Sequence, residues 1–316
     1  VAFTINAAPQ RASRIRQGAA PLRHIAADGL DFAGGADDQL PMASRILPPG
    51  RLPPGRRRTA RGERIYAIGD VHGRYDLLRE MLRRIEAHSR GLPRCDEIHV
   101  VLLGDVVDRG PDSARVLQFL HEWTRQASGQ VLLLGNHEEM MLRTWNGEAS
   151  ILKKWLRVGG RATLESFGLA VPAEEEDIRS LEFVKLVRDA IPPPLMHFVG
   201  RWPLHARSGD YYFCHAGVRP GIELDRQSKQ DLVWIRNSFL NDQRDHGAVI
   251  VHGHSVSPGV DHRPNRIGID TGAYATGVLT ALYAEGGEVD FLSTEPAQPA
   301  TPLLGVPPSD APTERD

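Results

Sequence analysis

Short apolar runs recur along the chain, and each gives way abruptly to glycine and charge. Arg64-Ile-Tyr-Ala-Ile68, Ile98-His-Val-Val-Leu-Leu103, Val131-Leu-Leu-Leu134, Tyr211-Tyr-Phe-Cys214 and Ala248-Val-Ile-Val251 are too short for helices and read as buried strands. After the first run the period changes. Leu77, Leu78, Met81, Leu82 and Ile85 fall on one helical face with Arg79, Arg83 and Arg84 between them, predicting a helix over 74–88 with Met81 as core filler. Val116, Leu117, Phe119, Leu120 and Trp123 predict a second helix over 112–126, with Asp112 as its cap, and Glu138 to Trp145 a third. Strand, loop and helix thus alternate three times, as βαβ units on a largely parallel sheet require.

Residues 174–190 suit a helix that Ile191-Pro-Pro-Pro194 ends, so 150–200 reads as a helical insert forming one wall of a cleft. The last third is strand-rich: Leu204–Arg207, Tyr211–Cys214, Ala248–Val251, Arg266–Asp270, Val278–Glu285 and Glu288–Leu292, with Gly286-Gly287 as a hairpin turn. The expected fold class is α/β, with a second sheet packed on the first and helices outside.

The two ends differ in kind. The first 62 residues hold ten arginines, no lysine, four acids and seven prolines, including Pro48-Pro-Gly-Arg-Leu-Pro-Pro-Gly-Arg-Arg-Arg58. Such a stretch continues neither a helix nor a central strand, and 1–62 is expected to be a disordered tail. The Pro-rich stretch 294–316 reads the same way, leaving 63–293 as the folded unit. Net charge is −2, which carries no global bias towards nucleic acid or membrane. No apolar run reaches the roughly 18–20 residues that span a bilayer. Cys95 and Cys214 make no disulfide framework, so a reducing, cytoplasmic setting is expected.

Chemistry concentrates just after the five strand-like runs. Gly-Asp-Val-His-Gly stands at 69–73, Gly-Asp-Val-Val-Asp-Arg-Gly at 104–110, Gly-Asn-His-Glu at 135–138, His-Ala-Gly at 215–217 and His-Gly-His at 252–254. A lone Asp-x-His is usually surface turn chemistry, and Gly-Asp after a strand is often only a turn or cap. Five such segments at the carboxyl ends of strands, where α/β proteins place their sites, are not explained that way. Carboxylate, amide oxygen and imidazole together suit Mn, Fe or Zn better than an all-oxygen Mg or Ca cage.

This pattern resembles the binuclear metallophosphoesterases, and within them the phosphoprotein phosphatase (PPP) family. Trp155-Leu-Arg-Val-Gly-Gly-Arg-Ala-Thr-Leu164, Leu232-Val-Trp-Ile-Arg236 and Ile269-Asp-Thr-Gly-Ala273 look like its bacterial and phage-type branch. The resemblance implies the calcineurin-like sandwich of two central mixed β-sheets flanked by helices. It also implies two divalent ions, Mn by preference, with Asp70 and His72 on one, Asn136, His215 and His254 on the other, and Asp105 bridging. His137 would be the general acid, Asp108 its orienting carboxylate, and Arg109 and Arg236 the grip on phosphate, with Arg219 and Arg244 as substitutes for Arg236. Related nucleases end in Gly-His-x-His, but here Val256 stands where the second histidine would be, so His252 is expected to be a packed imidazole.

The activity implied first is hydrolysis of phosphoserine and phosphothreonine, with phosphotyrosine accepted as well, in a phosphorylated protein partner, through a hydroxide bridging two metals about 3.5–4 Å apart. The alternative is symmetrical hydrolysis of dinucleoside polyphosphates such as diadenosine tetraphosphate. Against it, those enzymes tend to carry Ala at the position of Asp108 and Asp at that of Glu138. A nuclease or cyclic phosphodiesterase, and a non-catalytic binding module, rank lower.

Overall fold

The computed structural model describes residues 57–173, 178 and 180–294. Most of the two expected tails, and residues 174–177 and 179 of the expected helix over 174–190, lie outside the described residues. Ten strands form two five-stranded mixed sheets. The first has the order β10-β9-β1-β2-β3, with β1 Glu63–Ile68, β2 Glu97–Leu102, β3 Gln130–Leu132, β9 Thr280–Glu285 and β10 Glu288–Ser293. Strands β1, β2 and β3 run parallel, while β9 and β10 pair antiparallel. The second has the order β4-β5-β6-β8-β7, with β4 His205–Ser208, β5 Tyr211–Cys214, β6 Val249–His252, β7 Asp261–His262 and β8 Arg266–Gly268.

Period-two alternation decides which residues meet. Ile65, Ala67, Val101, Leu103, Val131 and Leu133 point to the second sheet, where Phe213, Val251 and Ile267 receive them. The alternate residues Tyr66, Ile68, Leu102 and Leu132 point outward, under α1 Tyr75–Arg90, α2 Ser113–Gln126 and α3 Asn136–Trp145. Helices α4 Ala149–Trp155, α5 Arg161–Ser166, α6 Ser180–Ala190 and α7 Pro193–Val199 extend that layer. On the far side, α8 Lys229–Trp234 and α9 Asn237–Leu240 cover Tyr212, Cys214 and Ile250, and the short α10 Ala273–Thr276 follows β8. Two sheets face to face with helices on both outer faces make the expected α/β sandwich.

Asp112 stands at the start of α2, but its carboxylate caps nothing. Ser166, brought over by α5, accepts the first-turn N–H of Ala114 at 3.0 Å instead.

Candidate metal and phosphoryl-transfer site

Backbone hydrogen bonds knit the strand-end loops together before any side chain is considered. The N–H groups of Val71 and His72 donate to Asp105 O at 3.1 and 2.9 Å, and Gly73 donates to Val106 O. Gly253 N–H donates to His215 O at 2.8 Å. Glu138, in the first turn of α3, accepts from the N–H groups of Asp105, Val106, Val107 and Gly135 at 2.8–3.2 Å. Burial and the Asp105 charge push its pKa up to about 7, while four donors on its two oxygens favour the carboxylate. Glu138 therefore shapes the 104–108 loop, a role that its place beside the third motif did not reveal.

Five non-glycine residues have positive φ among the described residues: His72 (44°), Asp105 (49°), Asp108 (72°), Arg109 (67°) and His254 (63°). All five were singled out in the sequence as site residues. Left-handed backbone at such residues is uncommon and costs on the order of 1–3 kcal/mol each, so its confinement here marks a functional constraint. Glycine is required where the loops touch: a Cβ on Gly253 would lie 2.0 Å from Asp70 Oδ1, and one on Gly135 would lie 2.2 Å from Asp105 Oδ1.

The side chains converge on Asp105. Its Oδ2 lies 3.7 Å from His72 Nε2, 3.4 Å from His215 Nε2 and 3.8 Å from His137 Nε2. His72, Asp105 and His137 form one group able to hold a metal ion, and Asp105, His215 and His254 form another, so Asp105 is common to both. His215 Nε2 also lies 2.9 Å from Asn136 Oδ1 and 3.2 Å from His254 Nδ1. Asp70 accepts the backbone N–H of His254 at 3.1–3.2 Å. The structure thus gathers Asp70, His72, Asp105, Asn136, His137, His215 and His254.

The donor set fits two divalent cations. His72 Nδ1–H donates to Val107 O at 2.8 Å and His215 Nδ1–H to Leu103 O at 2.9 Å, so each turns an Nε2 lone pair towards Asp105. Around His215 Nε2, an amide oxygen, a carboxylate and a second imidazole crowd together, an arrangement that a cation relieves. Burial pushes the pKa of His72 down to about 3 and, with the His215 charge, that of His254 to about 2, so both rings are neutral, the form that can bind a cation. Burial also raises Asp70, helped by the charges of Asp270 and Asp105, while for Asp105 the same burial is outweighed by His215 and His137, holding it well below the usual carboxylate range.

His137 is positioned differently. Its Nδ1–H donates to Asp108 Oδ2 at 2.6 Å, which leaves Nε2 facing the site. Asp108 is itself fully buried, and takes further bonds from Trp155 Nε1 at 2.8 Å and Thr163 Oγ1 at 2.6 Å. Burial pushes the His137 pKa down, but Asp105 and Asp108 outweigh it and the net shift is upward.

Arg109 reaches both histidine groups, with Nη1 2.7 Å from His72 Nε2 and Nη2 3.2 Å from His137 Nε2. Tyr274 lies beneath it, 4.7 Å from guanidinium carbon to ring centroid. Arg236 is not gathered in. It is exposed after α8, and among the described contacts it is linked to the site only by its charge, which disfavours protonation of His254. Its possible substitutes are engaged elsewhere, Arg219 with Asp231 and Arg244 with Asp242. His252 is buried edge-on against Phe239, with Nδ1–H donating to Gly253 O. His205 stacks on Tyr212, and His197 lies edge-on to Trp145. Trp155, Thr163, Tyr274 and Asp270 escaped the sequence reading, although the stretches 155–164 and 269–273 that hold three of them stood out.

With this geometry in view, similarity to known proteins is decisive for the family. The model of the calcineurin-like phosphoesterases matches residues 63–278. The chain belongs to that family. The asymmetrical bis(5'-nucleosyl)-tetraphosphatase of Bacillus thuringiensis is 26% identical over 250 residues, covering 73% of this chain and 95% of the relative. The symmetrical bis(5'-nucleosyl)-tetraphosphatase of Nitrosospira multiformis is 28% identical over 271 residues, covering 71% and 94%. Among solved structures, a protein serine/threonine phosphatase from Saccharomyces cerevisiae aligns with TM-score 0.43 and 14% identity over 77% of this chain and 86% of that one. The chain is a metallophosphoesterase. No helix among the described residues is long and apolar enough to cross a membrane, and Cys95 and Cys214 are unpaired.

Proposed function

We propose that the chain is a metal-dependent hydrolase of bis(5'-nucleosyl) tetraphosphates, which reverses the order of the two activities expected from sequence. The observation that carries this choice is the agreement among relatives aligned over nearly their whole length, which are named for that substrate in both cleavage modes. In this reading Asp70, His72 and Asp105 would hold one ion, and Asp105, Asn136, His215 and His254 the other, with Mn the favoured metal. Two such ions supply a nucleophile from water and neutralise phosphoryl charge. Arg109 grips the phosphoryl oxygens through its planar guanidinium. His137 delivers the proton from Nε2 to the leaving oxygen, while Asp108 fixes the ring and stabilises its charged form. Ion-exchange analysis of diadenosine tetraphosphate turnover tests this. Nucleotide products from Mn-loaded protein are expected, and the absence of turnover would refute it.

The protein phosphatase reading of the bacterial and phage-type branch stays second, on one specific observation. A serine alkoxide is a poorer leaving group than a nucleotide phosphate and needs an acid more. The Asp108–His137 pair, braced by Trp155 and Thr163, is built to supply one.

A further inference from the structure

Asp270 lies just past β8, inside the site, and none of the roles assigned above uses it. Its position follows from the backbone. Ile269, directly before it, donates its N–H to His252 O at 3.0 Å and turns its own carbonyl onto Gly69, where a Cβ would lie 2.4 Å from that oxygen. Asp70 follows Gly69, and its carboxylate takes the His254 N–H at 3.1–3.2 Å. Asp70 and Asp270 are therefore the next residues along two backbones in contact. The Asp270 charge acts on Asp70, raising its pKa beyond the effect of burial.

Asp70, Asp105 and Asp270 are each only 2% exposed. Asp105 has His72, His137 and His215 around it. Asp270 has a backbone partner instead: its Oδ1 accepts the Gly272 N–H at 3.0 Å, while its carbonyl accepts the Ser257 N–H at 3.0 Å. Among the described residues no basic side chain forms an ion pair with Asp70 or Asp270, and the Arg109 charge reaches both from further off. Buried carboxylates that lack a cation are costly, and neighbouring ones repel. A divalent ion at Asp70 relieves both.

We propose that Asp270 is a positioning residue of the metal centre, a fixed negative charge beside Asp70 that tightens binding of the cation at Asp70, His72 and Asp105. It acts through its charge rather than through the turn it closes with Gly272. The assignment rests on that ligand group as proposed above, and holds whichever phosphoester is cleaved.

Calorimetric titration of chelator-stripped protein with Mn tests this without turnover. Asp270→Asn keeps an oxygen for the Gly272 N–H and removes the charge, whereas Asp270→Ala removes both. One of two Mn-binding steps should weaken about 10–100-fold in both variants, the range that partners of metal ligands contribute. Metal-free Asp270→Asn should melt no lower than the unaltered protein, because a repulsion has gone. Mn affinity kept in Asp270→Asn, whether or not Asp270→Ala loses it, would overturn the assignment and leave the ligand set of the proposed function standing. So would an affinity loss in Asp270→Asn that comes with a lower metal-free melting temperature, since the turn would then be the cause. Failure of the unaltered protein to bind Mn would overturn the metal centre and this assignment together.

Discussion

In the function proposed here His137 would offer Nε2 to a leaving group, since Asp108 holds its other nitrogen at 2.6 Å. His137→Ala should lower kcat by about 10²–10⁴-fold with little change in KM, the range that a positioned acid contributes. Steady-state kinetics on any hydrolysed phosphoester would show it, and a change confined to KM would assign His137 to binding instead. Away from the site, burial lowers the pKa of His205 from 6.5 to about 4, while its ring stacks on Tyr212. Between those values the unfolded chain binds the extra proton and the folded one does not. This contribution to stability is therefore complete above 6.5 and declines as pH falls towards 4. Denaturant midpoints measured across that window should slope less in His205→Phe, and an equal slope would place the acid sensitivity elsewhere. At this scale much was legible: Asp70, Asp105, Asn136, His215 and His254 each follow a strand-like run. Trp155 and Thr163, 47 and 55 residues from the Asp108 they grip, were not, because no periodicity encodes a contact made by packing α4 and α5 over a loop. Arg236 was named for its Trp-Ile-Arg context, and the chain leaves it exposed.

Elements translate those contacts into position. The π-helical turn Leu156–Gly160 between α4 and α5 is the clearest case, since a Cβ on Gly159 would lie 2.8 Å from Arg109 N, on a backbone where side chains are strained in any event. Gly159→Ala should raise KM for phosphoesters by displacing Arg109, and should cost about 1–3 kcal/mol of stability in denaturant titration. An unchanged KM would detach the turn from substrate binding. The three amphipathic helices and every strand but the two-residue β7 were readable within a residue or two because burial on one face imposes a period. The cap of α2 was not: Ser166 replaces Asp112 through a tertiary contact. The third helix begins earlier than its apolar pattern suggests, at Asn136, which puts the Asn136 amide and the His137 imidazole in its first turn.

Over the whole molecule, the two sheets meet through Ile65, Val101, Leu103, Val251 and their neighbours, and the loops at their ends share one site. Leu103 joins the two functions, with its side chain in the inter-sheet core and its carbonyl on His215 Nδ1. Ligand binding to the folded state alone raises stability by mass action, so added Mn should raise the melting temperature in a concentration-dependent way. Asp105→Asn, which weakens both ligand groups, should largely abolish that rise, and a rise of full size would place the metal elsewhere. The activity proposed for this site is hydrolysis of bis(5'-nucleosyl) tetraphosphates. Its most direct test is kcat/KM of chelator-stripped, Mn-reloaded protein for diadenosine tetraphosphate and for a phosphoserine peptide, measured side by side. A higher value is expected for the dinucleotide. A higher value for the peptide would contradict it and return the protein phosphatase reading to first place.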